Sequence, residues 1–341
     1  MKVLITGSEG YLGALAAPEL MHAGHEVLGL DTGYYKSGWL CRGADRSPQT
    51  LDRDLRRVTI DDLAGMDAIV HMAELSNDPL GELSPEVTQR VNHGGSVRLA
   101  ALAKQAGASR FVYMSSCSVY GIAVGCGVTE SAALNPQTPY ARCKALVERD
   151  VAALAGEDFS PTFLRNATAY GASPRMRFDI VLNNLCGRAW TAGEIAMTSD
   201  GTPWRPLVHG LDITKAIRCV LAAPREVVHN EVFNVGSGAQ NYQIKEIADL
   251  VASVFTDCRL SFGDSAGDNR SYRIDCDKIH SVLPGFSCDW DARLGVRQLY
   301  DVFARVQLAG ETFTGRDHNR LRQLQYLLDT GQVDADLFWT Y

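Results

Sequence analysis

The sequence has no Cys-x-x-Cys pair, no surplus of basic charge and no apolar run near the ~18 residues a membrane-spanning helix needs. Its nine cysteines (41, 117, 126, 143, 186, 219, 258, 276 and 288) are odd in number and scattered. Neither a disulfide framework nor a zinc site is suggested, and reduced thiols in a cytoplasmic protein are the expectation, with no metal. A net charge of -7 offers nothing to nucleic acid or to an anionic membrane surface. A phosphate-bearing ligand stays open, because local arginines and backbone amides hold phosphate against the global sign. The apolar stretch at the N-terminus is too short for a signal peptide and ends in glycine at Gly7. Repeats and linker-like tracts are also missing.

What is present is an ordinary globular composition, 46% apolar and 21% charged, over 341 residues. That length suits a large α/β domain with a smaller one built onto it. Short apolar runs at 3–5, 26–31, 68–71, 111–114, 162–165 and 232–235 read as strands buried on both faces. Helical stretches are expected over 10–23, 91–106, 140–155, 245–255 and 317–329. Alternating strands and helices of this kind predict an α/β fold with a doubly wound parallel sheet. The rhythm breaks after about Tyr170. Residues 1–171, with 207–240 returning, are expected to form the nucleotide-binding domain. Residues 172–206 and 241–341 are expected to form a smaller C-terminal substrate domain.

Between the first strand and first helix lies Gly7-Ser8-Glu9-Gly10-Tyr11-Leu12-Gly13. Glycines there let the backbone approach a pyrophosphate, whose charge the helix N-terminus favours. The spacing is G-x-x-G-x-x-G, not the commoner G-x-G-x-x-G. Asp31 closes the second strand 18 residues beyond Gly13, near the ~20 expected of an acid gripping the adenosine ribose. A carboxylate there accepts from both ribose hydroxyls and repels a 2′-phosphate, which favours NAD over NADP. Asp54 and Leu55 are candidates to flank the adenine.

Tyr140 and Lys144 stand four apart on an expected helix, on one face and ~6 Å apart in rise. A phenol of pKa ~10 is a poor base at neutral pH until a fixed ammonium stabilises its phenolate. Met114-Ser115-Ser116-Cys117-Ser118-Val119-Tyr120-Gly121 follows a buried strand, at the carboxyl end where open α/β sheets place ligands. Serine, tyrosine and lysine together make a hydride-transfer set.

With these motifs in place, the chain resembles the extended short-chain dehydrogenase/reductases, and in plan the UDP-glucose 4-epimerases among them. The resemblance covers nearly the whole chain and implies a Rossmann sheet, bound NAD and a nucleotide-diphosphate sugar as substrate. It makes Tyr140 the base and acid, Lys144 its electrostatic partner and ligand of the nicotinamide ribose, and Ser116 the hydroxyl on the reacting sugar oxygen. Gly7, Gly10, Tyr11, Leu12, Gly13, Asp31, Ala73 and Asn92 fall on the cofactor side. Thr168 matches a position near the nicotinamide and sugar, and Asn184, in Asn183-Asn184-Leu185, one near the substrate diphosphate. Arg205, in Trp204-Arg205-Pro206-Leu207-Val208-His209, is placed on a phosphate with Arg270 as its partner; bidentate guanidinium–phosphate geometry is the reason for arginine at both. Relatives also imply a homodimer formed through helices near 92–106 and 140–155.

Two departures bear on the reaction. Dehydratases of this group carry an Asp-Glu pair after the catalytic Ser or Thr, where this chain has Cys117 and Ser118. Asn166 stands where a proline often follows the arginine of the sixth strand. The polar loop Glu74-Leu75-Ser76-Asn77-Asp78-Pro79 either reaches the sugar or forms an Asx-type turn. The leading expectation is a 4-epimerase acting through a transient 4-keto sugar. The alternative is a 4-ketoreductase or dehydrogenase that uses the same three residues. A non-catalytic NAD-binding scaffold is a third class, disfavoured because tyrosine and lysine are both retained.

Overall fold

The computed structural model describes residues 1–41, 47–76, 78–122, 127–264 and 271–340. Strands run in chain order as β1 (Lys2–Thr6), β2 (Glu26–Asp31), β3 (Gln49–Asp52), β4 (Ala68–His71), β5 (Arg110–Ser116), β6 (Ser160–Asn166), β7 (Thr168–Tyr170), β8 (Glu194–Ala196), β9 (Trp204–His209), β10 (Glu231–Val235), β11 (Asn241–Gln243) and β12 (Arg259–Ser261). Seven of them form one all-parallel sheet in the order β10-β6-β5-β4-β1-β2-β3.

The apolar strands are continuous because both faces of this sheet are covered. Val3, Ile5, Val70, Val112, Leu164 and Phe233 pack on one side with Ala16, Leu20, Ile213 and Ile217 of the helices Gly13–His22 and Gly210–Ala222. Leu4, Ile69, Phe111, Tyr113 and Phe163 pack on the other with Leu99, Ala103 and Val147 of the helices Ser96–Gln105 and Pro139–Ala152. Burying each such side chain contributes about 1.5–3 kcal/mol, enough to fix strand order and facing together. The order reverses at β1, between β4 and β2, and a crevice opens beyond the carboxyl ends there. His71 pins that point. Its ring meets Thr6 Oγ1 at 2.7 Å and Ser96 Oγ at 2.7 Å, and burial pushes its pKa down to about 3, so it stays neutral.

Short strands build the rest. β7, β9 and β11 make a three-stranded sheet, and β8 pairs with β12. The helices Val181–Ala192, Ile244–Val254 and Ala292–Val306 enclose a second core of Leu182, Leu185, Ile247, Val251, Val296, Leu299 and Phe303. Helix ends shift by a few residues from expectation. The first begins at Gly13 because Gly10 to Leu12 form the turn, with Gly10 N–H donating to Gly7 O at 3.0 Å. The last runs Arg320–Asp329. That helix and the tail beyond it pack back on the chain, with Leu324, Leu327, Val333 and Leu337 against Tyr34, Leu75 and Val87.

Candidate active site

A cavity of 520 Å³ occupies the crevice at the sheet reversal. Its lining collects most of the residues singled out in the sequence: Gly7, Gly10, Tyr11, Leu12, Gly13, Asp31, Asp54, Leu55, Ala73, Ser116, Tyr140, Lys144 and Thr168. Residues as far apart as Gly7 and Thr168 meet here because most of them end or follow a strand of the parallel sheet, and Tyr140 and Lys144 stand on the helix Pro139–Ala152 beside it.

The glycine turn is closed by contact. Gly7 has φ +75°, and a Cβ on Gly13 would sit 2.1 Å from Gly7 O. A side chain at Gly13 would therefore push the turn off the helix. Asp31 reaches into the same turn, accepting from Glu9 N–H at 3.0 Å and Gly33 N–H at 2.9 Å. Burial raises its pKa, against the pull of those two amides. Each of its oxygens keeps a free lone pair for a ribose hydroxyl. Asp54 caps the turn at Leu55–Arg57 and pairs with Arg56 at 2.7 Å, so its carboxylate is spent on the protein and its place beside an adenine is a matter of shape. The compact glycine turn, a carboxylate with open lone pairs and a half-apolar crevice together fit a dinucleotide.

Thr138 and Pro139 start the helix that carries Tyr140 and Lys144. The threonine hydroxyl accepts from Ala141 N–H at 3.2 Å, proline occupies the first turn, and Thr138 Oγ1 also donates to Asp78 Oδ1 at 2.5 Å. N-capping and a proline already at φ near −65° favour a helix start at this point, which sets Tyr140 at the cavity wall. One turn on, Lys144 Nζ lies 5.5 Å from the Tyr140 ring centroid. Burial raises the Tyr140 pKa and Lys144 opposes it.

Sequence reasoning missed the partner of that lysine. Glu74 Oε2 stands 2.7 Å from Lys144 Nζ, with the side chains 2% and 5% exposed, and Tyr113 O–H donates to Glu74 Oε1 at 2.6 Å. Lys144 also donates to Met114 O. Of the polar loop that begins with Glu74, Ser76 accepts from Arg177 Nη1 at 3.0 Å and Asp78 is held by Thr138; Asn77 lies outside the described residues. The loop is a structural brace of the site as well as part of its wall.

At the end of β5, Ser116 Oγ accepts from Ser118 N–H at 3.1 Å. Ser118 Oγ is buried, unpartnered and in the cavity wall, a second hydroxyl that the spacing did not single out. Cys117 points away, its thiol on Arg165 O at 3.1 Å and pushed far above the usual range by burial. Asn166 donates to Ser115 O at 3.1 Å, and its Oδ1 is left unpartnered at the cavity.

Three expected site residues fall elsewhere. Asn92 does not line the cavity; its amide brackets the Leu75 backbone, accepting at 2.9 Å and donating at 3.0 Å, and so holds the loop beside Glu74. Asn184 donates to Phe178 O at 2.8 Å and accepts from Arg188, away from the lining. Arg205 sits on β9 opposite Tyr242 and donates to Trp204 O at 2.9 Å, also off the lining. Arg270 lies outside the described residues, and Tyr272 nearby reaches the cavity. Arg177 and Arg320, which no motif flagged, line it instead. They come from loop and tail segments whose position only the folded chain supplies.

The described cysteines form no disulfide, and among the described residues no cluster of His, Cys, Asp or Glu could hold a metal. No described helix is long and apolar enough to cross a membrane.

Comparison with known proteins finds relatives over most of the chain. The chain is 29% identical over 308 residues to a UDP-glucose 4-epimerase of Lactobacillus helveticus, covering 83% of this chain and 91% of that one. It is 27% identical over 315 residues to the low-salt glycan biosynthesis protein Agl12 of Haloferax volcanii, covering 89% and 98%. Among solved structures it resembles MoeE5 in complex with UDP-glucose and NAD, with TM-score 0.78, 28% identity and coverage of 90% and 100%. The NAD-dependent 5,6-dehydratase TunA, at TM-score 0.79 and 22% identity, shares the fold. Residues 3–236 match the model of the NAD-dependent epimerase/dehydratase family, and with the glycine turn, Asp31, Tyr140 and Lys144 gathered on one crevice, the chain belongs to that family.

Proposed function

We propose that this protein inverts C4 of a nucleotide-diphosphate sugar. The reading is carried by what surrounds Ser116: tyrosine, lysine and serine line one crevice, and among the described residues the nearby carboxylates Glu74, Asp78 and Asp179 are all engaged by protein groups. Cys117 is turned away and ordinarily titrates near ~8.5 even when exposed. Glu74 is bound by Lys144 and Tyr113, and Asp78 by Thr138. A dehydratase needs an acid for a departing hydroxyl and a base for the adjacent proton, and neither is at liberty. UDP-glucose 4-epimerases among the relatives support the same reading.

NAD, when bound, supplies the place where the sugar's C4 hydride is held and returned. Tyr140, as phenolate, takes the proton of the 4-hydroxyl, while Ser116 and Ser118 hold the oxygen. The Lys144 ammonium keeps the phenolate accessible at neutral pH, and Glu74 fixes that ammonium. Once the keto sugar has turned its opposite face toward the cofactor, Tyr140 returns the proton to the C4 oxygen, and the configuration at C4 is inverted. The segments 172–206 and 241–319 supply the substrate side of the crevice in this reading, whereas the rest of the expected 241–341 segment packs against Tyr34, Leu75 and Val87. A homodimer through the helices Ser96–Gln105 and Pro139–Ala152 accompanies it, testable by light scattering in solution.

The test is incubation with UDP-, GDP-, CDP- and dTDP-sugars followed by NMR. C4 inversion without loss of water is expected. A 4-keto-6-deoxy product would sink the reading, and NADH released in step with substrate would move the chain to the ketoreductase or dehydrogenase class.

Two expectations follow from the charges of the site. Because Asp31 meets the ribose, NAD should bind more tightly than NADP by roughly 1.5–3 kcal/mol, and Asp31→Asn should narrow the gap. Equal calorimetric affinities in the parent protein would remove Asp31 from this role. The groups facing Tyr140 are Lys144, Glu74, Asp78 and Arg177. Glu74 raises both Tyr140 and Lys144, so Glu74→Gln should lower both. Phenolate then forms at lower pH and the ammonium is lost at lower pH, moving both limbs of the pH–rate profile toward acid. A profile in Glu74→Gln identical to the parent's would show that Glu74 is electrostatically silent.

A further inference from the structure

Arg320 opens the C-terminal helix and is 3% exposed. Neither Nη1 nor Nη2 has a hydrogen-bond partner, although both are buried and the residue lines the cavity. Its guanidinium lies 4.1 Å above the Tyr35 ring, and its backbone N–H donates to Asp179 at 3.3 Å. The neighbouring Arg177 is in a different position, because Asp179 grips it with two bonds of 2.8 and 3.1 Å. A buried guanidinium whose two terminal nitrogens lack hydrogen-bond partners is costly, and arginine does not shed its proton to escape. Burial lowers its pKa only to about 10, which leaves it charged at neutral pH. Such a group is built to receive an anion.

The position of Arg320 says which anion. The groups that face it are Arg177, Tyr35, Asp179 and Asp31, and Arg177 in turn faces Tyr140. Asp31 marks the adenosine ribose and Tyr140 the nicotinamide. The stretch between them, alongside the Gly7–Gly13 turn, is where a dinucleotide carries its diphosphate. We propose that Arg320 is a ligand of the NAD diphosphate and that the C-terminal segment is the outer wall of the cofactor site.

The tail is fastened as such a wall requires. Trp339 Nε1 donates to Thr32 O at 2.7 Å, Tyr34 O–H donates to Leu337 O, and Arg56 donates to Asp336 O at 2.6 Å. The Phe338 ring lies under the Arg56 guanidinium at 3.7 Å. All of these anchors belong to the turns after β2 and β3, which flank the adenosine end. Leu337 itself lines the cavity beside Tyr34 and Leu55. The C-terminal stretch thus borders the adenosine end of the crevice.

The experiment measures NAD and UDP binding by calorimetry in the parent, Arg320→Met and Arg320→Lys, with thermal unfolding of each with and without NAD. Methionine fills the space without charge. In Arg320→Met, NAD affinity should fall by about thirtyfold or more and the NAD-induced rise in Tm should shrink. The Tm without NAD should hold or rise, because an uncompensated buried charge has gone. Arg320→Lys should fall between the two. A lowered Tm without NAD at unchanged NAD affinity would make Arg320 structural and overturn the proposal. A loss confined to UDP would assign the guanidinium to the substrate and overturn it equally. The NAD arm stands on the family's NAD dependence, so its result is independent of whether C4 inversion is the reaction.

Discussion

Tyr140→Phe should reduce turnover by at least 10²–10⁴-fold while NAD remains bound. The substitution removes one oxygen and leaves the ring that the helix start at Thr138–Pro139 positions. No other described group in the crevice can take its place. Ser116 and Ser118 are hydroxyls without a neighbouring base, Lys144 is held protonated by Glu74, and the Glu74 and Asp78 carboxylates are occupied. The glycine turn and Asp31, the expected cofactor contacts, follow and end other strands, so NAD affinity should change by less than about threefold, within ~0.6 kcal/mol. The measurement is steady-state turnover together with NAD content after gel filtration. Retained activity would move the proton transfer to another residue, and loss of NAD would show that the tyrosine had been holding the cofactor instead.

The second large effect is expected in stability. Arg165 and Glu148 form an ion pair of 2.6 Å with both side chains 6% exposed. The guanidinium also donates to Tyr120 Oη at 2.9 Å and Glu130 O at 3.1 Å, and Glu148 accepts from Ser115 Oγ. Glu148 is on the helix that carries Tyr140 and Lys144, and Arg165 is on β6, so the pair ties the catalytic helix to the sheet beside Ser116. Removing one partner strands a buried charge, which costs about 3–5 kcal/mol. Arg165→Ala should therefore lose that much in chemical denaturation. Replacing both partners with apolar residues, Arg165→Met with Glu148→Leu, should recover most of it, because a buried pair is nearly neutral against hydrophobic packing. An Arg165→Ala protein as stable as its parent would show that the pair contributes nothing. If the double variant is stable but slow, the pair serves to position Ser115 and Ser116.

The sequence alone determined the parallel sheet and the cofactor half of the crevice. Strands buried on both faces must be continuously apolar, so 3–5, 68–71, 111–114 and 162–165 are visible as runs. A Cβ at Gly13 would fall 2.1 Å from Gly7 O and Gly7 itself has φ +75°, so both positions need glycine and are visible as a motif. Tyr140 and Lys144 are visible because a helix sets their spacing. In each case the constraint acts over a few residues of chain.

The tertiary structure decided what depends on long-range meeting. Asn92, Asn184 and Arg205 stand in family-like positions, yet their side chains bond to Leu75, Phe178 and Trp204. Glu74 reaches Lys144 across 70 residues, and Arg320 reaches the crevice from the far end of the chain, past Tyr35. No local pattern encodes either contact. A carboxylate in a loop and an arginine at a helix start read as solvated groups until the fold buries them. Burial is what turns Glu74 and Arg320 from surface charges into parts of the site, because only out of water does an unmatched charge demand a partner.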